Sequence, residues 1–357
     1  MALIKVPEVK LRIMSLNTQY CAGSKDDEGD FMKKKDKKEL DHNKQKIAEL
    51  IAEINPDIVC MQEVDKCSNR SHFEDQGEDI RRRVARITNQ DRYNYEFGSC
   101  IDLDQKKMQE LLDRYKLGFL VPAIRKYYED KKYAWIFEKA DVELGMLSPG
   151  EVKLHFGNAI LTRPGLPIKE VKHEFFFRPS AILIMYLNII RRKDERKSYL
   201  RCKIDYFPKV AEKIPLYVIN THFENNDPKK RIEQTNILYE KLHKRSGAHK
   251  ILCGDFNDKG EGVLEKIISH PNIKCYPGLL DDMKKFATYP TWKAPPDEVF
   301  DAILASQFLE IDSYEVLTDD RYKVSDHYAV VADIRINHDL VPRNILKQML
   351  TKSEQKQ

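Results

Sequence analysis

Ile251-Leu252-Cys253-Gly254-Asp255-Phe256-Asn257 is an apolar run that stops abruptly on a glycine, an aspartate and an asparagine. A short apolar stretch bounded by turn formers reads as a buried strand, and the polar residues after it read as that strand's rim. The same grammar recurs through the chain. Leu11–Leu16 ends in Asn17, Ile58–Met61 ends in Gln62-Glu63, and Leu216–Ile219 ends in Asn220-Thr221-His222. Val299–Leu304 and Tyr328–Ile334 read as further strands, the second just behind Asp326-His327. Ile58–Met61 is apolar at every position, so both of its faces need cover, as in a layered α/β core.

Between these runs lie helical patterns. Ile47, Leu50, Ile51 and Ile54 recur at helical spacing in a helix expected from about Asn43 to Ile54, stopped by Asn55-Pro56. Further helices are expected around 79–90, 105–116, 228–245 and 261–268, with Pro228 suited to a first turn. No internal repeat or low-complexity linker divides the 357 residues. The expected organisation is one domain over 1–338, with insertions at about 101–150 and 190–213 and a polar tail over 339–357.

Composition excludes collagen, mucin and disordered classes: 41% of residues are apolar and 33% are charged. A formal charge of +4 is far from the excess of a dedicated nucleic-acid binder. The most apolar segment, 181–190, is half a bilayer span and closes on Arg191-Arg192, so it reads as a buried strand and no transmembrane segment is expected. Seven cysteines without a CxxC pair, and no signal-peptide pattern, point to a reducing intracellular compartment, cytoplasmic or nuclear.

Polar and acidic residues thus stand at the ends of several strands: Asn17, Glu63, His222, Asp255 with Asn257, and Asp326-His327. Strand ends are where a rigid core presents groups to a wet rim, so residues far apart in sequence can converge there. One acidic residue at a strand end is usually a turn former or a helix cap, and one histidine is usually structural. Five such features in consistent order are more than turns require. Carboxylates and amide oxygens without thiolates suit Mg²⁺, with Mn²⁺ as a substitute. Two histidines add proton transfer or stabilisation of a phosphoryl group, and together these suit water attack on phosphorus.

The segments Leu16-Asn17, Gln62-Glu63-Val64-Asp65, Gly157-Asn158-Ala159-Ile160-Leu161-Thr162-Arg163, Asn220-Thr221-His222, Gly254-Asp255-Phe256-Asn257 and Ser325-Asp326-His327-Tyr328 resemble the endonuclease/exonuclease/phosphatase superfamily, over about Leu11–Ile334. The resemblance implies the DNase I-like fold, a four-layer α/β sandwich of two face-to-face mixed sheets flanked by helices. It implies Glu63 as the main metal ligand, assisted by Asn17 and by Asp326. Asp255 would orient or deprotonate the attacking water, and Asn257 would hold the phosphate or the metal. His327 would contact the scissile phosphate with Asp301 holding its ring, and His222 would supply a second phosphate contact or a leaving-group proton. Asn158 would line the same site. Family members often read Arg-Ile-Asp-Tyr-Ile where this chain has Val299-Phe300-Asp301-Ala302-Ile303, and Asp297 is an alternative partner for the histidine.

The expected activity is Mg²⁺-dependent phosphodiester hydrolysis, with nucleic acid the leading substrate. Phospholipid, phosphoinositide or small-molecule phosphohydrolysis is the alternative, and an inactive partner-binding member of the fold is a weaker one. The Cys-Asp-Arg stretch of the inositol-phosphatase branch and the tryptophan–arginine–aspartate arrangement of the abasic-site branch are missing, whereas Asn220-Thr221-His222 resembles the DNase I, sphingomyelinase and small-hydrolase branches. Arg231, Gln234 and Leu238 also resemble the small hydrolases. The 101–150 stretch is aromatic-rich and charge-balanced, an expected lid or aromatic wall. Residues 169–213 carry twelve basic and six acidic residues, with Arg191-Arg192-Lys193 and Arg196-Lys197 expected on an exposed hairpin tip. A solvated turn is the default for such a tip, and a phosphate backbone or peripheral contact with an anionic membrane is the minority reading.

Overall fold

The computed structural model describes residues 9–24, 35–104, 153–176, 197–204, 216–243, 248–307 and 309–336. The expected strand at 181–190, the expected helix at 105–116 and the tail after 338 lie outside them. So do Arg191-Arg192-Lys193 and nearly all of the 101–150 stretch. Among the described residues no helix is long and apolar enough to cross a membrane.

Among the described residues, twelve strands form two mixed six-stranded sheets. The first runs β11 (Leu309–Val316), β12 (Val330–Ile336), β1 (Val9–Asn17), β2 (Ile58–Asp65), β4 (Lys153–Thr162), β3 (Asn94–Asp104). The second runs β5 (Ile168–Phe175), β6 (Ser198–Ile204), β7 (Leu216–His222), β8 (His249–Asp255), β10 (Asp301–Ser306), β9 (Ile273–Lys274). Only β1 with β2 and β7 with β8 are parallel pairs, and both pairs sit centrally.

Alternation along β1 and β2 builds the layers. Ile13, Ile58 and Cys60 join Val218, Leu252, Cys253 and Ile303 between the sheets. Met14, Val59 and Met61 face the other way, against Ile47 and Ile51 of helix α1 (Lys37–Ile54) and Ile80 of α2 (Gln76–Thr88). The unbroken apolar run of β2 is therefore covered twice, as its sequence requires. Helices α3 (Pro228–His243) and α4 (Val263–Ile268) add Leu238, Leu242, Val263, Leu264 and Ile267 to the core of the second sheet. The result is the expected α/β sandwich.

The helix starts were misplaced from sequence for a specific reason. α1 begins six residues before Asn43 because Asp36 caps it, accepting from the Glu39 amide at 3.0 Å. Asp75 caps α2 in the same way through the Glu78 amide. The interval 190–213 needs a larger correction. Its residues 198–204 are β6, hydrogen-bonded between β5 and β7, and so are part of the sheet. Arg201 and Lys203 disguise that strand. The Arg201 side chain is nonetheless buried, lying over the Tyr217 ring and bridging to Glu170.

Candidate active site

Each candidate side chain leaves the sandwich at the same end. β1 ends on Asn17, β7 on His222 and β8 on Asp255, and β10 begins on Asp301 directly opposite Asp255. Gly254 allows β8 to close against β7, since a Cβ there would meet the Thr221 carbonyl oxygen at 2.2 Å. Beneath the rim, two buried amides stitch the sheets together. Gln62 Nε2 donates to Asn220 Oδ1 at 2.6 Å, and Asn220 Nδ2 donates to the carbonyls of Met61 and Ala159 at 2.8 Å each. Buried amides hold position only when their partners are in place, so this bridge fixes the sheets relative to each other where the chemistry sits.

Glu63 is placed by a register shift in β2 between Met61 and Val64, with Glu63 itself at φ +56°. A non-glycine residue in that region is costly and is held only by its surroundings. Here Thr18 Oγ1 donates to the carbonyls of Gln62 and Glu63. Asn17 Nδ2 then donates to Glu63 Oε1 at 3.2 Å and to Asp255 Oδ2 at 3.0 Å, joining the two sheets' carboxylates. Its oxygen accepts from the Gln19 amide, which fixes the side chain beside both carboxylates. His222 Nε2 lies 3.6 Å from Glu63 and 3.5 Å from Asp255.

His327 Nε2 lies 3.9 Å from Asp255 Oδ2, the same oxygen that His222 approaches. Its Nδ1 is 2.7 Å from Asp301 Oδ2. The departure of Val299-Phe300-Asp301 from the usual motif therefore leaves the aspartate–histidine pair in place. Asp297 points elsewhere, to Lys293 at the exposed surface. The 288–291 turn holds the histidine's segment: the Thr291 amide donates to the Asp326 carbonyl and the Tyr328 amide to the Thr288 carbonyl. The Tyr289 ring packs 4.9 Å from the imidazole. Asp326 accepts from Ser325 Oγ at 3.0 Å.

Asn257, at φ +49°, donates its amide N–H to Asp255 Oδ1 at 2.9 Å and its side-chain Nδ2 to the Phe223 carbonyl. Arg231 and Gln234 of α3 brace the same loop, through the Glu224 carbonyl and the Glu224 amide respectively. Leu238 is core. Asn158 sits one layer back in β4. Its Nδ2 donates to the Ser198 carbonyl at 3.1 Å, and its buried Oδ1 has no hydrogen-bond partner among the described residues.

One residue was read wrongly from sequence. Lys197, placed on an exposed tip by its basic neighbours, is 2% exposed, with its Nζ 2.9 Å from His222 Nε2. A signal existed: Leu200, Cys202 and Ile204 alternate with Arg201 and Lys203, the period of a strand, and Lys197 precedes that strand.

The electrostatics divide the two histidines. Burial pulls His222 well below the ordinary range, and the Lys197 ammonium and His327 push it the same way. Burial also works against the charge on His327, but the carboxylates of Asp301, Asp326 and Asp255 more than offset it and hold the ring well above the ordinary range. Burial lifts Asp255 to about 6, with Asp301 adding to the lift. Burial likewise lifts Asp326 to about 7, helped by Glu63 and Asp301. Carboxylates that resist ionisation beside one another are a place where a cation would be stabilising. Glu63, His222 and Asp255 each offer an atom within 4.8 Å of the others, as do Asp255, Asp301 and His327. This oxygen-rich set fits a hard divalent ion.

The model of the endonuclease/exonuclease/phosphatase family matches residues 14–327. No curated protein matches the sequence. Among solved structures, an endonuclease/exonuclease/phosphatase family protein from Bacteroides thetaiotaomicron is 15% identical, with 93% of this chain and 100% of that one covered at a TM-score of 0.56. TDP2 from Caenorhabditis elegans is 15% identical over 91% of this chain and 74% of its own, at a TM-score of 0.52. A mannosyl-6-phosphatase from Bacteroides thetaiotaomicron VPI-5482 is 15% identical over 91% and 99%, at a TM-score of 0.54.

Proposed function

Because the chain belongs to the endonuclease/exonuclease/phosphatase family, we propose that it is a Mg²⁺-dependent phosphodiesterase with nucleic acid as its leading substrate. The observation that carries this reading is the convergence of Glu63, His222, Asp255, Asp301 and His327, joined by Asn17, at the rim between the two sheets.

The cation would be held by Glu63 with Asp255 and Asp326, and when bound it would polarise a phosphoryl oxygen and neutralise developing charge. The remaining roles belong to the chain. Asp255, fixed by Asn17 Nδ2 and by the Asn257 amide, presents an oriented carboxylate that can accept a proton from the attacking water. His327, held cationic by Asp301, presents Nε2 as a charged donor to a phosphoryl oxygen. His222 is neutral, so it contributes a hydrogen bond and not a charge. Burial of Asp255, His222, Asp301 and His327 keeps water from competing for these contacts. An intracellular setting accords with the odd number of cysteines, five of them buried.

A phosphomonoester substrate is the second reading. It is favoured by the likeness to the mannosyl-6-phosphatase, nearly all of whose chain is covered. Purified protein assayed on single- and double-stranded DNA, RNA, sphingomyelin, phosphoinositides and sugar phosphates, with Mg²⁺, Mn²⁺ or EDTA, decides between them. Metal-dependent cleavage of an oligonucleotide that is lost in Asp255→Asn supports the diesterase. Preferential turnover of sugar phosphates overturns it, and equally negligible turnover of the whole panel by both proteins overturns hydrolysis altogether.

A further inference from the structure

Trp292 is 42% exposed, at the tip of a turn in which the Lys293 amide donates to the Pro290 carbonyl at 3.4 Å. Turn tips are ordinarily small and polar, and an indole left in water forgoes the burial that stabilises most tryptophans. A single exposed apolar side chain needs no explanation by itself. Two features set this one apart: how firmly its turn is held, and where its ring contacts lead.

The turn is tied to the site from two directions. The Thr291 amide donates to the Asp326 carbonyl at 2.9 Å, and Thr291 Oγ1 donates to the Ser325 carbonyl at 2.7 Å. Thr288 Oγ1 accepts from the amides of Phe300 and Asp301 at 3.2 Å each. The Tyr289 amide and carbonyl pair with the Glu298 backbone at 3.1 and 3.0 Å. Residues 288–291 therefore cannot shift without moving the segments that carry Asp301 and His327. The rings lead outward from the same point. Tyr289 lies 4.9 Å from the His327 imidazole, stacks on Phe300 at 4.9 Å and meets the indole nearly at right angles at 5.4 Å. Two ring contacts thus separate an exposed indole from the imidazole that the proposed reaction sets against the phosphoryl group.

The surroundings choose among the ligands an indole can take. Lys293, the next residue, pairs with Asp297, and both are exposed. The Lys259 ammonium lies 5.9 Å from the Phe300 ring centroid. An acyl chain laid on this turn would strip water from charges that it cannot offset. A planar base covers the indole with its π-face and turns its polar edge to those charges and to solvent.

We propose that Trp292 stacks on a nucleobase of the substrate, one adjoining the phosphate held at the site. The substrate class rests on the proposed nucleic-acid reading, but the stacking can be measured without turnover.

The chain has two tryptophans, Trp135 and Trp292, so in a Trp135→Phe background the emission reports on Trp292 alone. The probes are a single-stranded oligodeoxynucleotide and an oligomer of equal length built of abasic residues, which carries the same phosphates and no bases. Both are titrated in EDTA and in Ca²⁺, reading the quenching of Trp292 and the anisotropy of an end-labelled strand. The base-bearing strand should quench, and the abasic strand should not. Trp292→Leu should weaken binding of the base-bearing strand roughly five- to hundredfold and leave abasic binding within about twofold. Trp292→Phe keeps a ring and should recover most of the loss. Leu280→Ala, which removes an exposed apolar side chain without a ring, should match wild type. If Trp135→Phe does not fold, the difference between wild-type and Trp292→Phe emission takes its place. Equal quenching by both strands, unchanged binding in Trp292→Leu, or a wild type that binds neither strand overturns the assignment, as does stronger quenching by sugar phosphates. Nucleic-acid cleavage that Trp292→Leu leaves untouched sinks the stacking alone. Base-dependent quenching with no hydrolysis of any substrate sinks the hydrolase reading alone.

Discussion

The molecule gathers carboxylates in two places and treats them oppositely. On the outer helical layer, Asp41, Glu74 and Asp79 lie close enough to surround an ion. Their centre is filled by the Lys44 ammonium, 1% exposed, at 2.9 Å from Asp41 and 2.8 Å from Asp79, with Glu74 closing the group. Burial disfavours the charge on Asp79, but Lys44 and Arg83 outweigh it and hold that carboxyl below its ordinary range. At the rim of the sheets, Asp255 and Asp326 are pushed the other way, into the neutral range. The first cluster is complete within the chain. In the second, burial outweighs the neighbouring His327 and keeps carboxylates from ionising, and it is the second that meets the two histidines. Proximity of acidic groups alone therefore does not mark a site, and carboxylates that burial keeps from ionising are the better sign.

The comparison breaks first on activity. Asp255→Asn and His327→Ala should each lower kcat/KM on the substrate found by screening by about 10³-fold, with melting temperatures near wild type. Asp79→Asn should leave kcat/KM within about twofold, because it lies in the helical layer and shares no partner with the site. Steady-state kinetics on the three variants checks this. An active Asp255→Asn, or a catalytically dead but folded Asp79→Asn, would reverse the assignment of roles.

Stability should show the converse. Lys44→Met leaves three carboxylates around an apolar side chain. Removing one partner of a buried ionic group costs about 3–5 kcal/mol, and the partial exposure of the three acids brings the expectation here to about 2 kcal/mol. Urea denaturation measures the loss, and kcat/KM per folded molecule should not change. A neutral effect on stability would mean that solvent already screens the outer cluster.

The same contrast explains what could be read from sequence. Asn17, Glu63, His222 and Asp255 were legible because each follows an apolar run, and the place where a strand's apolar pattern stops is set locally, whereas Asp301, inside Val299–Leu304, was reached only through the family resemblance. Lys197 was harder to read, because the strand period that sets it apart from Arg191, Arg192, Lys193 and Arg196 begins only after it, at Leu200, Cys202 and Ile204. Its neighbour Ser198 is held by Asn158, Thr221, His173 and Cys100, which are brought to it by strand pairing. The stitch between Gln62 and Asn220 was equally hidden, since its two halves are 158 positions apart in the chain. The charged strands β5 and β6 escaped notice because Arg201 and Lys203 look like surface until Tyr217 and Glu170 are known to cover Arg201. The start of α1 was missed for a smaller reason: Asp36 caps it amid a run of lysines that reads as loop.

The smallest expected effect is the most direct reading of the buried carboxylates at the rim. Asp326 ordinarily titrates near 3.8 and is lifted to about 7 in the folded protein. Between those values the folded chain keeps a proton that the unfolded chain has lost. Stability from this group is therefore intact below about pH 4 and declines as pH rises toward 7. Asp326→Asn removes that decline. In EDTA at pH 8 the variant should be more stable than wild type by about 1 kcal/mol, less than the full shift implies because the side chain is half-buried. The difference should vanish near pH 4, and Mg²⁺ should shrink it by stabilising the wild type, which keeps the carboxylate that the variant lacks. Urea titrations at the two pH values, with and without the metal, provide the measurement. If Asp326→Asn is no more stable at pH 8, the rim carboxylates are not in conflict. The two clusters would then differ only in their neighbours, and the case for a cation between the sheets would rest on the histidines alone.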